Sequence, residues 1–461
     1  MERRWQVLIV TSVAVFIGFL DVTVVNVAFP DLERDFTAAS RADLSWVLNA
    51  YNVVFAALLV PAGRLADRIG RKRFFLIGLG VFVGASVAAG LAWSVELLVA
   101  ARIVQAVGGA ILVPTSLALL LPEFPASQRA LATSIWTATG AIAAALGPSL
   151  GGLLVEQAGW RWVFFINLPI ALVALLPARR LLREERDPGA TLPDALGSVL
   201  LVAAVALIAL GIVKGGDWGW DSARVLGSIG AGALLLPLVI RRSLRHPAPV
   251  IEPGLFRVRS FAVANAGTLA FSFAFYAVLL ANILFLTQVW SWTVLEAGVA
   301  VTPGPAMAAL SAPVGGRLSD RFGQRVVALP GALFFAAGTL WFATHLGATP
   351  DYAGAFLVGT LMTGIGVGLS YAAWASAAVA ELPPERFATG SAVLATLRQV
   401  GAVLGIAVLV ALLEAANPAD PVGAFTGAYT VMAFAALVAG GLALLLGRVH
   451  ALAAEPVPEA A

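Results

Sequence analysis

Residues 63–73 read GRLADRIGRKR, placing five cations and one carboxylate in a single short connection. The sequence before it is uncharged back to Leu44, and Phe74 opens another apolar run. Only 12% of the chain is charged, so crowding of this kind needs a cause. Hydrophobic residues make up 60% of the 461 residues and the mean hydropathy is +0.91. Soluble domains are roughly 45–50% apolar. Apolar runs of about 20 residues recur from end to end, the signature of membrane-spanning helices. The reading is an all-α polytopic membrane protein.

Charged, proline and glycine-rich breaks divide the chain into fourteen expected spans. They cover 7–29, 44–66, 74–93, 97–121, 131–155, 161–178, 194–214, 223–240, 260–287, 293–316, 325–346, 352–376, 388–413 and 424–447. With the N-terminus inside, about 22 of the 29 Lys and Arg fall in cytoplasmic segments, which predicts both termini there. MERRWQ leads directly into apolar sequence without a cleavage pattern, so the first span is expected to be retained.

Other classes lack their residues. The pI of 9.6 accompanies a net charge of only +3, with the basic residues lying between apolar runs, so no nucleic-acid partner is expected. There is no cysteine, and His246, His345 and His450 are scattered, so no metal site or organic cofactor is implied. A phosphate-binding loop of the G-x-x-x-x-G-K-[ST] type is absent, which argues against ATP as the energy source. No nucleophile–base pair suggests a membrane enzyme.

The opening stretch has a counterpart. GRLSDRFGQR at 316–325 repeats G-R-L-x-D-R-x-G-x-[KR], the first copy after the second span and this one after the tenth. Positive charges that only set topology need no Gly, Leu, Asp and Gly at matching offsets; an internal repeat does. Two charged linkers, within 178–194 and 241–260, flank the seventh and eighth spans. The expected organisation is a six-helix bundle over 1–182, a linker with an inserted helix pair over 183–245, and a second six-helix bundle over 246–461.

These residues resemble the major facilitator superfamily, specifically its fourteen-span drug:proton antiporter branch, over about 7–447. GRLADRIGRKR matches the superfamily's loop motif. LDVTVVNVAFPDL (20–32) is similar to the branch's first-span motif, and ARIVQAVGGA (101–110) to its fourth-span motif, with Ala106 where Gly is usual. LGPSLGGLL (146–154) is similar to the fifth-span antiporter motif, and WRWVFFINLP (160–169) to the segment after it. The resemblance implies proton-coupled efflux of amphipathic small molecules across the cytoplasmic membrane by alternating access. It also implies that Gly63, Asp67, Arg68 and Arg71 latch two bundles in the outward-facing state, with Gly316, Asp320 and Arg321 doing so more weakly. Gly147, Pro148 and Gly151 would form a hinge that limits proton leakage. Independently of the resemblance, Gly140, Ala144, Gly147 and Gly151 share one helix face, where a neighbouring backbone can approach closely. An exporter of a lipid, glycolipid or dedicated natural product with the same fold is the alternative. The partners expected are a small amphipathic substrate, protons and the bilayer, with the protein a monomer.

Three ionisable residues fall well inside spans: Asp21, Arg102 and Arg398. A charge at the bilayer centre costs roughly 2.5–3.5 kcal/mol on insertion scales, so such residues are usually paired or functional. Asp21 is the only deep carboxylate. Helical rise puts it and Arg102 both in the outer half of the membrane, so the two are expected to meet in one cavity and to couple protons there. Arg398 either faces substrate or balances Asp21. Asn26, Asn49, Asn52, Gln105 and Trp374 are candidates for lining the substrate cavity, along with Tyr51, Asn265, Asn282 and Gln288; each serves equally well to join helices. Trp160, Trp162, Trp218 and Trp220 are expected to anchor at the membrane interface.

Overall fold

Caps and turns set the helix boundaries. The computed structural model describes residues 2–125, 128–187, 189, 191–383, 386–417 and 419–446, with the side chains of 130, 320 and 388 left out. Among these, fourteen helices are long and apolar enough to cross a membrane. They are α1 (Arg3–Asp35), α2 (Arg41–Ile69), α3 (Arg71–Gly90), α4 (Val95–Glu123), α5 (Leu131–Ala158), α6 (Trp162–Leu181) and α7 (Ala195–Val213). The chain continues through α8 (Ala223–Ser243), α9 (Arg259–Gln288), α10 (Val294–Ser319), α11 (Arg325–His345), α12 (Tyr352–Val379), α13 (Thr389–Ala415) and α14 (Pro421–Ala443). No strand occurs among the described residues. Every expected span overlaps one of these helices. The main difference is length: α1 has 33 residues, about 50 Å of helix against a hydrocarbon core of about 30 Å.

Ser40 and Asp43 form a capping box that starts α2, and Thr293 and Glu296 form another that starts α10. Asp194, Asp351 and Asp420 cap α7, α12 and α14. The two copies of the charged repeat turn alike. Gly70 ends α2 with φ 118° and Gly323 follows α10 with φ 89°, conformations that side-chain-bearing residues rarely adopt.

Helix packing repeats as the sequence does. In the first six helices α1 packs on α5, α2 on α4, α3 on α4 and α6, and α1 on α6. In the last six α9 packs on α13, α10 on α12, α11 on α12 and α14, and α9 on α14. The two bundles meet through α2 with α13, α5 with α10, and α1 with α9. Of the inserted pair, α7 rests on both α2 and α13, across the seam between the bundles, while α8 packs mainly on α7. Arg242 of α8 reaches Asp194 at 2.6 Å, and Lys214 beyond α7 reaches Asp43 at 2.8 Å, so both ends of the pair are pinned.

Candidate functional site

Small residues let α1, α3, α4 and α6 close around one polar cluster. Gly108 of α4 sits so near the backbone of Phe82 in α3 that a side chain there would overlap it. In that tight interior lie Asp21 of α1 and Arg102 of α4, respectively 0% and 1% exposed. Their oxygen and nitrogen, Oδ2 and Nη1, are 2.5 Å apart. The other carboxylate oxygen accepts from Gln105 Nε2 at 2.7 Å and Asn167 Nδ2 at 3.1 Å. Ser86 Oγ joins the set, accepting from Gln105 and Asn167 and donating to the Phe164 carbonyl.

Arg102 has further partners of its own. It donates from Nε to the Val47 carbonyl at 3.0 Å and from Nη1 to Gln105 Oε1 at 2.7 Å. Its guanidinium lies 4.2 Å from the centre of the Tyr51 ring, a cation–π distance. The cation therefore keeps hydrogen bonds even when the carboxylate is neutral. Asn167 Oδ1, by contrast, is buried with no partner. The cluster is enclosed rather than open: Asp21 and Arg102 meet as expected, but in packed protein and not in a cavity.

The expected cavity-lining residues divide sharply. Asn26, Asn49, Asn52, Gln105 and Trp374 are all buried in helix packing in this conformation. Trp374 fills the space left by Gly267, where any Cβ would run into its ring. Asn26 donates to the Val22 carbonyl of its own helix, and Asn49 faces Ser45. Asn282 accepts from Tyr429, and Asn265 donates to Phe261. Arg398 is different: partly exposed, between Tyr371 of α12 and Phe19 of α1. It does not balance Asp21, which Arg102 already holds. Sequence reading passed over Ser86, one small residue among many, and Asn167, whose signal was an amide inside an apolar span. Trp160 is a correction of another kind. It is 2% exposed and donates to Asp35 at 2.8 Å, so it pins a loop and does not sit at the lipid interface.

The charged repeat of residues 63–73 engages its own bundle and the linker. Arg71 donates to Asp67 at 2.9 Å, to Glu185 and to the Ala118 carbonyl. Asp67 offers its backbone carbonyl to Asp187. The helix end capped here is that of α3, and the acid is Glu184, which accepts from the N–H groups of Lys72 and Arg73. Asp67 does not cap a helix of the second bundle in this structure. The side chain of Asp320, in the second copy, lies outside the described residues.

On the opposite face, and towards mid-membrane, the bundles are tied together. Gln288 donates to Glu33, the Ala42 N–H donates to Glu414, and the hydroxyls of Ser149 and Thr302 are 2.6 Å apart. Thr396 of α13 donates to the Ala56 carbonyl of α2. The α5 glycines divide between two neighbours. Gly140, Gly147 and Gly151 receive α1, a Cβ on Gly151 falling 3.1 Å from Val24 Cα. Gly152 receives α10, and Gly298 of α10 lies against the Pro148 carbonyl.

Comparison with known proteins follows the same outline. The chain matches the family model described as Major Facilitator Superfamily over residues 11–258 and 264–461. It is 35% identical over 411 residues to the multidrug resistance protein Stp of Mycobacterium tuberculosis, covering 88% of this chain and 75% of that one. It is 33% identical to the tetracenomycin C resistance and export protein of Streptomyces glaucescens (89% and 76% covered) and 32% to the methylenomycin A resistance protein of Streptomyces coelicolor (94% and 88%). Among solved structures, a bacterial homolog of the human lysosomal transporter Spinster, in its inward-facing and unoccupied conformation, aligns with TM-score 0.68 at 19% identity, over 96% of this chain and 97% of that one. The nucleoside transporter NupG aligns with TM-score 0.66 at 11% identity, over 97% and 100%.

Proposed function

The chain belongs to the Major Facilitator Superfamily, a transporter and not an enzyme, and from that premise we propose proton-driven export of amphipathic small molecules across the cytoplasmic membrane. The termini would face the cytoplasm, on the side of the charged repeats. The observation that carries the reading is the Asp21–Arg102 pair, a carboxylate and a guanidinium buried together inside the membrane.

Breaking such a pair by moving one partner leaves an uncompensated charge, which is strongly unfavourable in a buried setting. A proton arriving at Asp21 removes that penalty. Arg102, the proton and substrate then compete for one carboxylate, so protonation biases which helix arrangement is stable. Arg102 can give up Asp21 because Gln105, Val47 and Tyr51 still hold it. Asn167, its amide flipped about the Cβ–Cγ bond, would bring its unpartnered oxygen to accept from the protonated carboxyl. In alternating access the bundles rock about the fixed middle of the molecule. This conformer, joined on the face opposite the repeats, would be the one that takes substrate from inside.

The test is flux in proteoliposomes under an imposed pH gradient. Asp21→Asn should abolish gradient-driven export while the folded protein still binds substrate. Full proton-coupled flux in that variant would refute the reading.

A further inference from the structure

Arg398 is a mid-membrane cation left over by the coupling cluster. It lies four residues from the midpoint of α13, about 6 Å along the axis towards the face of the charged repeats. Its guanidinium is 5.3 Å from the Tyr371 ring centre and 5.8 Å from that of Phe19, so it stands between the second bundle and α1. Tyr276 of α9 is its other close neighbour. Among the described residues no carboxylate comes within ion-pair distance of it: Asp21 is bound by Arg102, Gln105 and Asn167. The neighbouring helices α9 and α12 place no acid at this depth.

The surroundings are aromatic. Tyr371 has its hydroxyl 2.8 Å from Ser272, which fixes the ring and turns it towards the cluster of Phe271 and Phe275, 5.3 and 5.7 Å away. On the α1 side, the Phe19 ring lies against Gly140 of α5, while a Cβ on its neighbour Gly18 would meet nothing within 4 Å. A cation on a partly exposed residue, its guanidinium bordered by aromatic rings, favours a particular ligand. An anionic oxygen group would occupy the fork of the guanidinium, and a planar apolar body would lie against the rings.

We propose that Arg398 is the anion-recognising subsite of the transport pathway, taking the carboxylate of aromatic amphiphiles. The inference rests on the export reading above and names its substrate class: carboxylate-bearing aromatic compounds over neutral or cationic ones. Arg398 and Asp21 then divide the work, one holding substrate and the other the proton. A cation that only packed between rings would discriminate none of these ligands.

The experiment measures equilibrium binding to the purified full chain by equilibrium dialysis, near neutral pH and without any gradient. Three probes share one ring system: 2-naphthoate, 2-naphthamide and 2-naphthyltrimethylammonium. The wild type should bind naphthoate tightest. Arg398→Gln should weaken naphthoate by about tenfold, the worth of a charge-assisted hydrogen bond, and leave the amide unchanged. Arg398→Lys should keep most of the preference. Equal binding of the three probes by the wild type, or an equal loss of all three in Arg398→Gln, would overturn the proposal. Should Arg398→Gln fail to fold, the wild-type ranking alone decides. Naphthoate preference without gradient-driven flux would remove the proton-coupled reading and leave the subsite standing.

Discussion

Arg102 touches more of the first bundle than any simple counter-ion needs to. It joins the α1 carboxylate, the α2 backbone at Val47, the Tyr51 ring and its own neighbour Gln105. Arg102→Ala should therefore destabilise the protein by about 3–5 kcal/mol, because Asp21 would remain buried without its cation. Adding Asp21→Asn should recover part of that loss, a coupling that thermal unfolding of the single and double variants in detergent would measure. Lys214 offers a second residue-scale prediction, at the membrane surface. Burial opposes its charge, but hydrogen bonds and attraction from Asp43 and Asp217 outweigh it and raise its pKa. Glu414 and Arg41 lie in the same electrostatic neighbourhood. A raised lysine contributes stability fully below its ordinary pKa of about 10.4 and loses it as pH climbs through the higher folded value. Melting temperature should therefore fall at the alkaline end, and Lys214→Met should flatten that limb without steepening the acid one.

At the scale of the element, α5 is the piece with two working faces. Its inner stripe of Gly140, Gly147 and Gly151 fits α1, while Gly152 and the Pro148 carbonyl fit α10. Pro148 cannot donate to the preceding turn, so the helix has a softened point where the two faces meet. Across the seam, Gly298 has no room for a side chain against that carbonyl. Gly298→Val should therefore push the bundles apart on the face opposite the charged repeats. The cysteine-free chain permits the measurement directly, with spin labels on cysteines placed at Gln157 and Ser291. The distance distribution should shift to longer values in the variant. An unchanged distribution would mean that α5 and α10 are not what holds that face.

For the whole molecule, the inserted pair is the feature that a two-bundle description leaves unexplained. The structure gives its helices unequal positions. α7 bridges α2 and α13, where a purely peripheral pair would touch neither seam helix, and α8 lies outside it. An apolar cavity of about 410 Å³ lies between α7, α2 and α4, lined by Leu58, Leu65, Ile111, Val199 and Val202. Apart from Ser198 its lining side chains are apolar, and none of them belongs to the Asp21 cluster or to the surroundings of Arg398. Cysteines placed along α8 should react with a membrane-permeant maleimide equally with and without substrate. Protection by substrate along that helix would bring the pair into the pathway.

The sequence alone determined the number of helices, their order and their twofold repeat, because a bilayer obliges each span to satisfy its own backbone hydrogen bonds. That constraint is local and so is legible in twenty apolar residues at a time. Ionisable residues are costly in the membrane, so Asp21, Arg102 and Arg398 also stood out without any fold. What the sequence could not decide was which polar groups pair. Asparagines and tryptophans hydrogen-bond equally well to a neighbouring helix or to a ligand, and only packing revealed that Asn49 and Trp374 are enclosed while Arg398 is not. Asn167 and Ser86 joined Asp21 because α3 and α6 close on α1 and α4, a contact between residues as much as 146 positions apart. The charged repeat shows the same limit. Its residues were plain in the sequence, but whether Asp67 faces the second bundle or its own linker depends on how the two bundles stand, and only the tertiary arrangement sets that.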